Sequence, residues 1–187
     1  RFKKKQICIH PVSQGSMGFA LPAIIGAHST GKKNIVSVIG DGSIMMNLQE
    51  LQTINHYKIP AKIFIINNNM YGIIRRRQQE LFRGRTIGTD DTNGVGCPNF
   101  KKISKAFNIK YKLIKRKKNL KNEINKILKE KKTIICEIIA DENQEYIEIG
   151  YAKNTMGKIV RRPLEDQKPF LDRNIFHQQM IIKPIDQ

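Results

Sequence analysis

Three largely apolar, β-branched runs, at residues 34–39, 61–66 and 133–140, set the strongest limit on how this chain can fold. Each has the length of one strand, and apolar residues follow one another instead of alternating with polar ones. A strand of that kind is buried on both faces, which is the mark of parallel sheets covered by helices. Segments of helical period lie between the runs: 17–29, 44–57, a helix from the polar turn at 67–69 to about 82, then 100–107 and 119–130. Further strands are expected at 6–10 and 109–114. Strands alternating with helices predict βαβ units, hence an α/β fold with a parallel β-sheet and helices on both faces. In such sheets ligands bind beyond the carboxyl ends of the strands. Gly40-Asp41-Gly42 and Asn67-Asn68 stand at the expected ends of two successive strands.

The chain has 187 residues, enough for one domain with its own core. Residues 1–145 form that domain in this reading. Beyond them the period fades among Pro163, Pro169 and Pro184, and residues 146–187 are expected to be an irregular C-terminal arm. The chain opens on Arg1, not Met, and reaches a dense motif almost at once, which reads as part of a longer polypeptide. No stretch of eighteen uncharged apolar residues occurs and no signal peptide is visible, so a cytoplasmic protein outside the membrane is expected. Cys8, Cys97 and Cys136 are widely spaced and odd in number, suiting neither a disulfide framework nor paired zinc ligands.

A formal net charge of +18 raises the question of nucleic acid. Most of the excess lies in 101–132, where lysines share a helix with an apolar face of Leu120, Ile124, Ile127 and Leu128. That is the pattern of a solvated helix. No aromatic residues are interleaved to stack bases and no helix-turn-helix pattern is present, so nucleic acid is set aside as a partner.

The two strand ends can do more together than apart. Asp41 offers a carboxylate and Asn68 an amide oxygen, hard ligands suited to a magnesium ion that completes its shell with phosphate oxygens and water. The flanking glycines allow close backbone approach, and a helix starting near Ser43 points amide hydrogens at an anion. A metal-bound diphosphate is the ligand these residue types suit.

Gly40-Asp41-Gly42-Ser43, with Asn67-Asn68 following Gly42 after 24 intervening residues and Tyr71-Gly72 close behind, resembles the signature of thiamine-diphosphate enzymes. The upstream Gly15-Ser16-Met17-Gly18-Phe19-Ala20-Leu21-Pro22-Ala23 is similar to the acetolactate-synthase branch. The resemblance runs from about residue 7 to 140 and matches the family's diphosphate-binding C-terminal domain.

It implies thiamine diphosphate and Mg2+ as cofactors. Asp41 and Asn68 would bind the metal through side chains and Met70 through its carbonyl oxygen. Gly40, Gly42, Ser43, Asn68, Tyr71 and Gly72 would line the diphosphate. Gly15 would accept from the aminopyrimidine, with Ser16 beside it, and Met17 would be the apolar wedge that bends the cofactor into a V. That bend brings an imino nitrogen against the thiazolium carbon, which then attacks a 2-keto acid, with decarboxylation followed by carboligation. The implied enzyme is a transferase or lyase, working as a homodimer or homotetramer. The glutamate that activates the pyrimidine belongs to another domain of the same polypeptide or a partner subunit, so the chain alone would be catalytically incomplete. The alternative assignment is a separate subunit of a two-chain 2-keto-acid decarboxylase.

Two positions depart from the family. The carboligase branch places a tryptophan near Arg77, and this chain has none; simple decarboxylases place a glutamate near Ile74. Arg75, Arg76 and Arg77 either select an acidic substrate or form a solvated helix face. Residues 84–91 are a candidate lid or a surface loop, and His10 stands just before the cofactor segment.

Overall fold

The computed structural model describes residues 3–11, 14–115, 118–144, 151–153, 159–161, 165–166 and 170–181. The chain divides into two compact units, Arg1–Glu142 and Asn143–Gln187.

In the first unit, α1 (Ala20–Ser29) leads into β1 (Ile35–Gly40), and a short helix, α2 (Asp41–Ile44), starts with no linker. A 3-10 turn (Met45–Asn47) and α3 (Glu50–His56) follow, then β2 (Ala61–Asn67), α4 (Gly72–Leu81), α5 (Phe100–Ala106), β3 (Lys110–Ile114), α6 (Leu120–Leu128) and β4 (Ile134–Ile139). The four strands form one wholly parallel sheet in the order β1-β2-β4-β3. The expected α/β class is therefore present, with helices on both faces.

One face carries Ile35, Ile39, Ala61, Ile63, Ile65 and Ile135 against Leu21 and Ile24 of α1, Leu51 and Ile54 of α3, and Phe100 of α5. The other carries Phe64, Ile114, Ile134 and Cys136 against Ile127 of α6. Burying an aliphatic side chain such as fully enclosed Ile63 stabilises the fold by about 1.5–3 kcal/mol relative to leaving it exposed.

Several expectations are corrected. Residues 6–10 are not a strand: no strand pairs with them among the described residues, and Ile7 and Ile9 are exposed. Without a ladder a short apolar segment has nothing to hold it extended. The helix read at 44–57 begins earlier, at Asp41, and is interrupted before α3. Gly18 explains part of that break: a Cβ there would lie 2.6 Å from Asn47 Nδ2 and 2.7 Å from Met46 Cβ, so the 3-10 turn packs directly on its bare backbone. Burial on both faces holds for most of β2 and β4 but not for β1, where Val36 and Val38 are exposed because this edge strand has a helix against one face only.

The second unit contains an antiparallel pair, β5 (Tyr151–Lys153) and β6 (Ile159–Arg161), and a helix, α7 (Arg173–Gln179). These elements stand where the sequence pattern predicts irregular chain. Asp172 caps α7 by accepting from the backbone N–H of Asn174 and Ile175 at 2.9 and 3.3 Å, and Arg173 makes a two-pronged bond to Asp166, 2.9 Å on each arm.

Candidate functional site

Register brings the two motifs together. Gly40, the last residue of β1, faces Ile66 of β2, so both strands run out side by side and Asp41 and Asn67–Asn68 emerge at one edge of the sheet. Gly40 is still extended (φ −76°, ψ 157°), and the chain turns into α2 at the next residue.

Asp41 is 3 % exposed. Its Oδ1 accepts from the Gly42 N–H at 2.8 Å and its Oδ2 from the Cys97 thiol at 3.3 Å. Among the described residues no cationic side chain pairs with it. A buried carboxylate without a cation is costly, and its chemistry suits a divalent ion. No group of three or more His, Cys, Asp or Glu that could hold a metal exists among the described residues. An ion at this edge therefore has to draw on amide and carbonyl oxygens and on ligand phosphates, the donor set that Mg2+ takes. On both counts the residues present fit a magnesium-bound diphosphate.

The turn after β2 is built by Asn67. Its Oδ1 accepts from the Asn69 N–H at 2.8 Å, its Nδ2 donates to Glu137 Oε1 at 2.6 Å, and its carbonyl accepts from Ala140 N–H at 2.8 Å. Asn69 adopts the left-handed conformation (φ 57°) that asparagine tolerates. Asn68 lies between these two fixed residues and is half-buried.

Met70 and Tyr71 are pinned by the loop 83–98. Met70 bridges Asp90, and Tyr71 N–H donates to Thr89 O at 2.8 Å. The Tyr71 ring covers Gly42 so closely that a Cβ there would lie 2.2 Å from Cε1. Gly72 opens α4 directly behind it.

On the upstream side, Gly18 N–H donates to Ser43 Oγ at 2.9 Å, tying the Gly15–Phe19 segment to α2. Gly15 (φ 57°) has open space around it, and Gly15, Ser16 and Met17 are exposed. Thus Gly40, Asp41, Gly42, Ser43, Asn68, Met70, Tyr71 and Gly72 gather at one edge, joined to the segment of Gly15, Ser16 and Met17 through Gly18.

The candidate lid is anchored, not loose. Thr89 is fully buried, and Asn93 Oδ1 accepts from the N–H groups of Thr89 and Asp90 at 2.6 and 3.1 Å. Asp90 accepts from the Thr92 hydroxyl at 2.5 Å, which, with further donors from Thr89 and Asn93, holds its carboxyl below the usual aspartate range. Arg75 lies 3.8 Å from Asp90, whereas Arg76 and Arg77 bond Glu80 at 3.0 and 2.9 Å. His10 is exposed.

Two residues at the site have no counterpart in the sequence reading. Cys97 has its thiol pushed up to about 12, first by burial and then by the negative charge of Asp41 and the hydrogen bond to it. Glu137 accepts from Asn67 and from the Tyr111 hydroxyl; burial and that bond push the Tyr111 hydroxyl upward. The one sequence signal for Glu137 is a lone carboxylate in the apolar strand β4.

A parallel sheet whose strand ends gather a buried carboxylate, an asparagine turn and a short helix start defines an α/β domain built to bind beyond its strand ends. The family described as thiamine pyrophosphate enzyme, C-terminal TPP binding domain, matches residues 1–138. The acetolactate synthase large subunit of Porphyra purpurea is 36 % identical over 143 residues, 75 % of this chain and 24 % of that protein. Acetolactate synthase isozyme 2 large subunit of Escherichia coli (strain K12) is 34 % identical over 129 residues, 68 % and 23 % of the two chains. The mitochondrial acetolactate synthase of Schizosaccharomyces pombe is 31 % identical over 145 residues, 77 % and 21 %. This chain belongs to the thiamine pyrophosphate enzyme family, as a C-terminal TPP-binding domain of the acetolactate-synthase-like kind. It spans about a quarter of the length of the curated relatives it matches. No helix among the described residues is long and apolar enough to cross a membrane.

Proposed function

We propose that this domain holds the diphosphate of thiamine diphosphate through Mg2+, in an enzyme that decarboxylates a 2-keto acid and joins the product to an acceptor. The observation that carries this reading is Asp41: a carboxylate 3 % exposed at the end of β1, without a cation among the described residues, beside the asparagine turn of the neighbouring strand. Asp41 and Asn68 would hold the ion through their side chains and Met70 through its carbonyl. Gly40, Gly42, Ser43, Tyr71 and Gly72 would border the phosphates, the N–H groups at the start of α2 meeting negative charge. Gly15, Ser16 and Met17 would receive the pyrimidine side. When bound, the cofactor supplies a carbon nucleophile and then an electron sink for the loss of carbon dioxide. The chain's own residues would hold that cofactor by its phosphate end.

Acetolactate synthases among the relatives support the substrate class. The same reading puts the pyrimidine-activating glutamate in another domain of the polypeptide or in a partner subunit, residues 1–145 as the binding domain with 146–187 as an appended arm, and the working enzyme as a cytoplasmic homodimer or homotetramer. The test is calorimetry of thiamine diphosphate binding with and without Mg2+. Binding is expected to need the metal and to be lost in Asp41→Ala; metal-dependent binding that survives this substitution counts against the site.

A further inference from the structure

We infer that Glu137 is a positioning residue for the metal-binding turn, acting through the side chain of Asn67; this rests on the reading of Asp41 and Asn68 as magnesium ligands. In β4, Glu137 is 7 % exposed, and the other five residues of the strand are isoleucines and a cysteine. A charge in such a strand is costly unless its oxygens are fully answered. Among the described residues no cation answers Glu137. Two neutral donors do: Asn67 Nδ2 at 2.6 Å on one oxygen and the Tyr111 hydroxyl on the other.

Strand geometry explains why these partners meet. Side chains alternate between faces along a strand, and the register sets Ile65 opposite Glu137 and Tyr111 opposite Ile135. Asn67, two residues beyond Ile65, is therefore on the face of Glu137 one diagonal step away, as is Tyr111 on the other side. Diagonal neighbours are within reach of long side chains.

The polarity of the chain of bonds then does the positioning. A carboxylate offers only acceptors, so Glu137 requires the NH2 end of the Asn67 amide. That leaves Oδ1 pointing to Asn69, where it accepts the backbone N–H at 2.8 Å and closes the turn that carries Asn68. Reverse the amide, and both bonds are lost together. Partners that orient metal ligands in this way typically change metal affinity about 10- to 100-fold when removed.

The test is the Mg2+ dissociation constant, measured by calorimetry at saturating thiamine diphosphate on the protein in its native assembly. Asn67→Asp keeps the shape and the acceptor for Asn69 but sets oxygen against oxygen at Glu137. It is expected to weaken Mg2+ binding about 10- to 100-fold, although a negative charge added near a cation would otherwise tighten it. Combining it with Glu137→Gln is expected to restore the affinity, because the new amide donates to the carboxylate at 67 and accepts from Tyr111. Hydrogen exchange of the metal-free protein should show faster exchange at Asn69 N–H in the single variant and recovery in the double.

Asn67→Asp binding Mg2+ as tightly as the parent, or a double variant no better than the single, overturns the inference. Asp41→Ala separates the two levels. If it abolishes metal binding while Asn67→Asp has no effect, the positioning role alone fails; if Asp41→Ala binds Mg2+ like the parent, the underlying site fails and the inference with it.

Discussion

Gly42 is the position where a single methyl group reads out the packing of the site. The residue is helical, outside the left-handed region, so alanine meets no backbone penalty there and gains about 1 kcal/mol of helix propensity over glycine. Against that, its Cβ would lie 2.2 Å from Tyr71 Cε1 and 2.6 Å from Cδ1, well inside contact distance. The backbone that carries the ring is held in place, since the Tyr71 N–H is bonded to Thr89 O at 2.8 Å. Forcing a methyl group into a packed contact costs about 1–3 kcal/mol. Gly42→Ala is therefore expected to destabilise by up to about 2 kcal/mol after the helix gain. In a Tyr71→Ala background the clash is gone and the same substitution should be neutral or stabilise by up to about 1 kcal/mol. The coupling between the two positions is then about 1–3 kcal/mol, a range that urea unfolding followed by circular dichroism resolves in a double-mutant cycle. Equal effects of Gly42→Ala in both backgrounds would refute the account of this contact.

Two further outcomes follow from charge and burial. Cys8 is exposed, whereas Cys97 is half-buried with its thiol pushed up to about 12 beside Asp41. Since the thiolate is the nucleophile, mass spectrometry after brief iodoacetamide treatment at pH 8 should find Cys8 modified well before Cys97, and the reverse order would contradict the Asp41–Cys97 contact. The lowered carboxyl of Asp90 contributes stability that is present above the ordinary aspartate value of about 3.9 and is lost as pH falls toward the lower folded value. Protection of the Thr92 and Val95 amides against hydrogen exchange, taken relative to their intrinsic rates, should fall below about pH 4, and Asp90→Asn should remove that dependence; protection in the parent that does not change with pH would show that the Asp90 network does not hold the loop.

How far the sequence reveals this site depends on the range of the contacts involved. β1, β2 and β4 are legible because each is a short apolar run, and a parallel sheet follows from the helices between them. Gly40-Asp41-Gly42 and Asn67-Asn68 are legible because a turn is local: each is written in consecutive residues at a strand end. Residues 6–10 show the limit of such patterns, since a short apolar run suits a strand but no neighbouring strand pairs with it among the described residues. β5 and β6 show the opposite limit, three residues each being too few for a period to register. Cys97 and Glu137 fall outside any local pattern, because the residues they bond are 56 and 70 positions away.

Glu137 was nevertheless open to one physical question: why a strand of isoleucines carries a carboxylate at all. Buried charge must be answered from the same face of the sheet, and a parallel partner places its candidates at two-residue intervals. With β2 beside β4, the polar residue at the end of that row is Asn67, the first residue of the Asn67-Asn68 motif. The charge in the core and the turn at the edge are thus two ends of one hydrogen-bonded path, and a perturbation of either should be felt at the metal position proposed between Asp41 and Asn68.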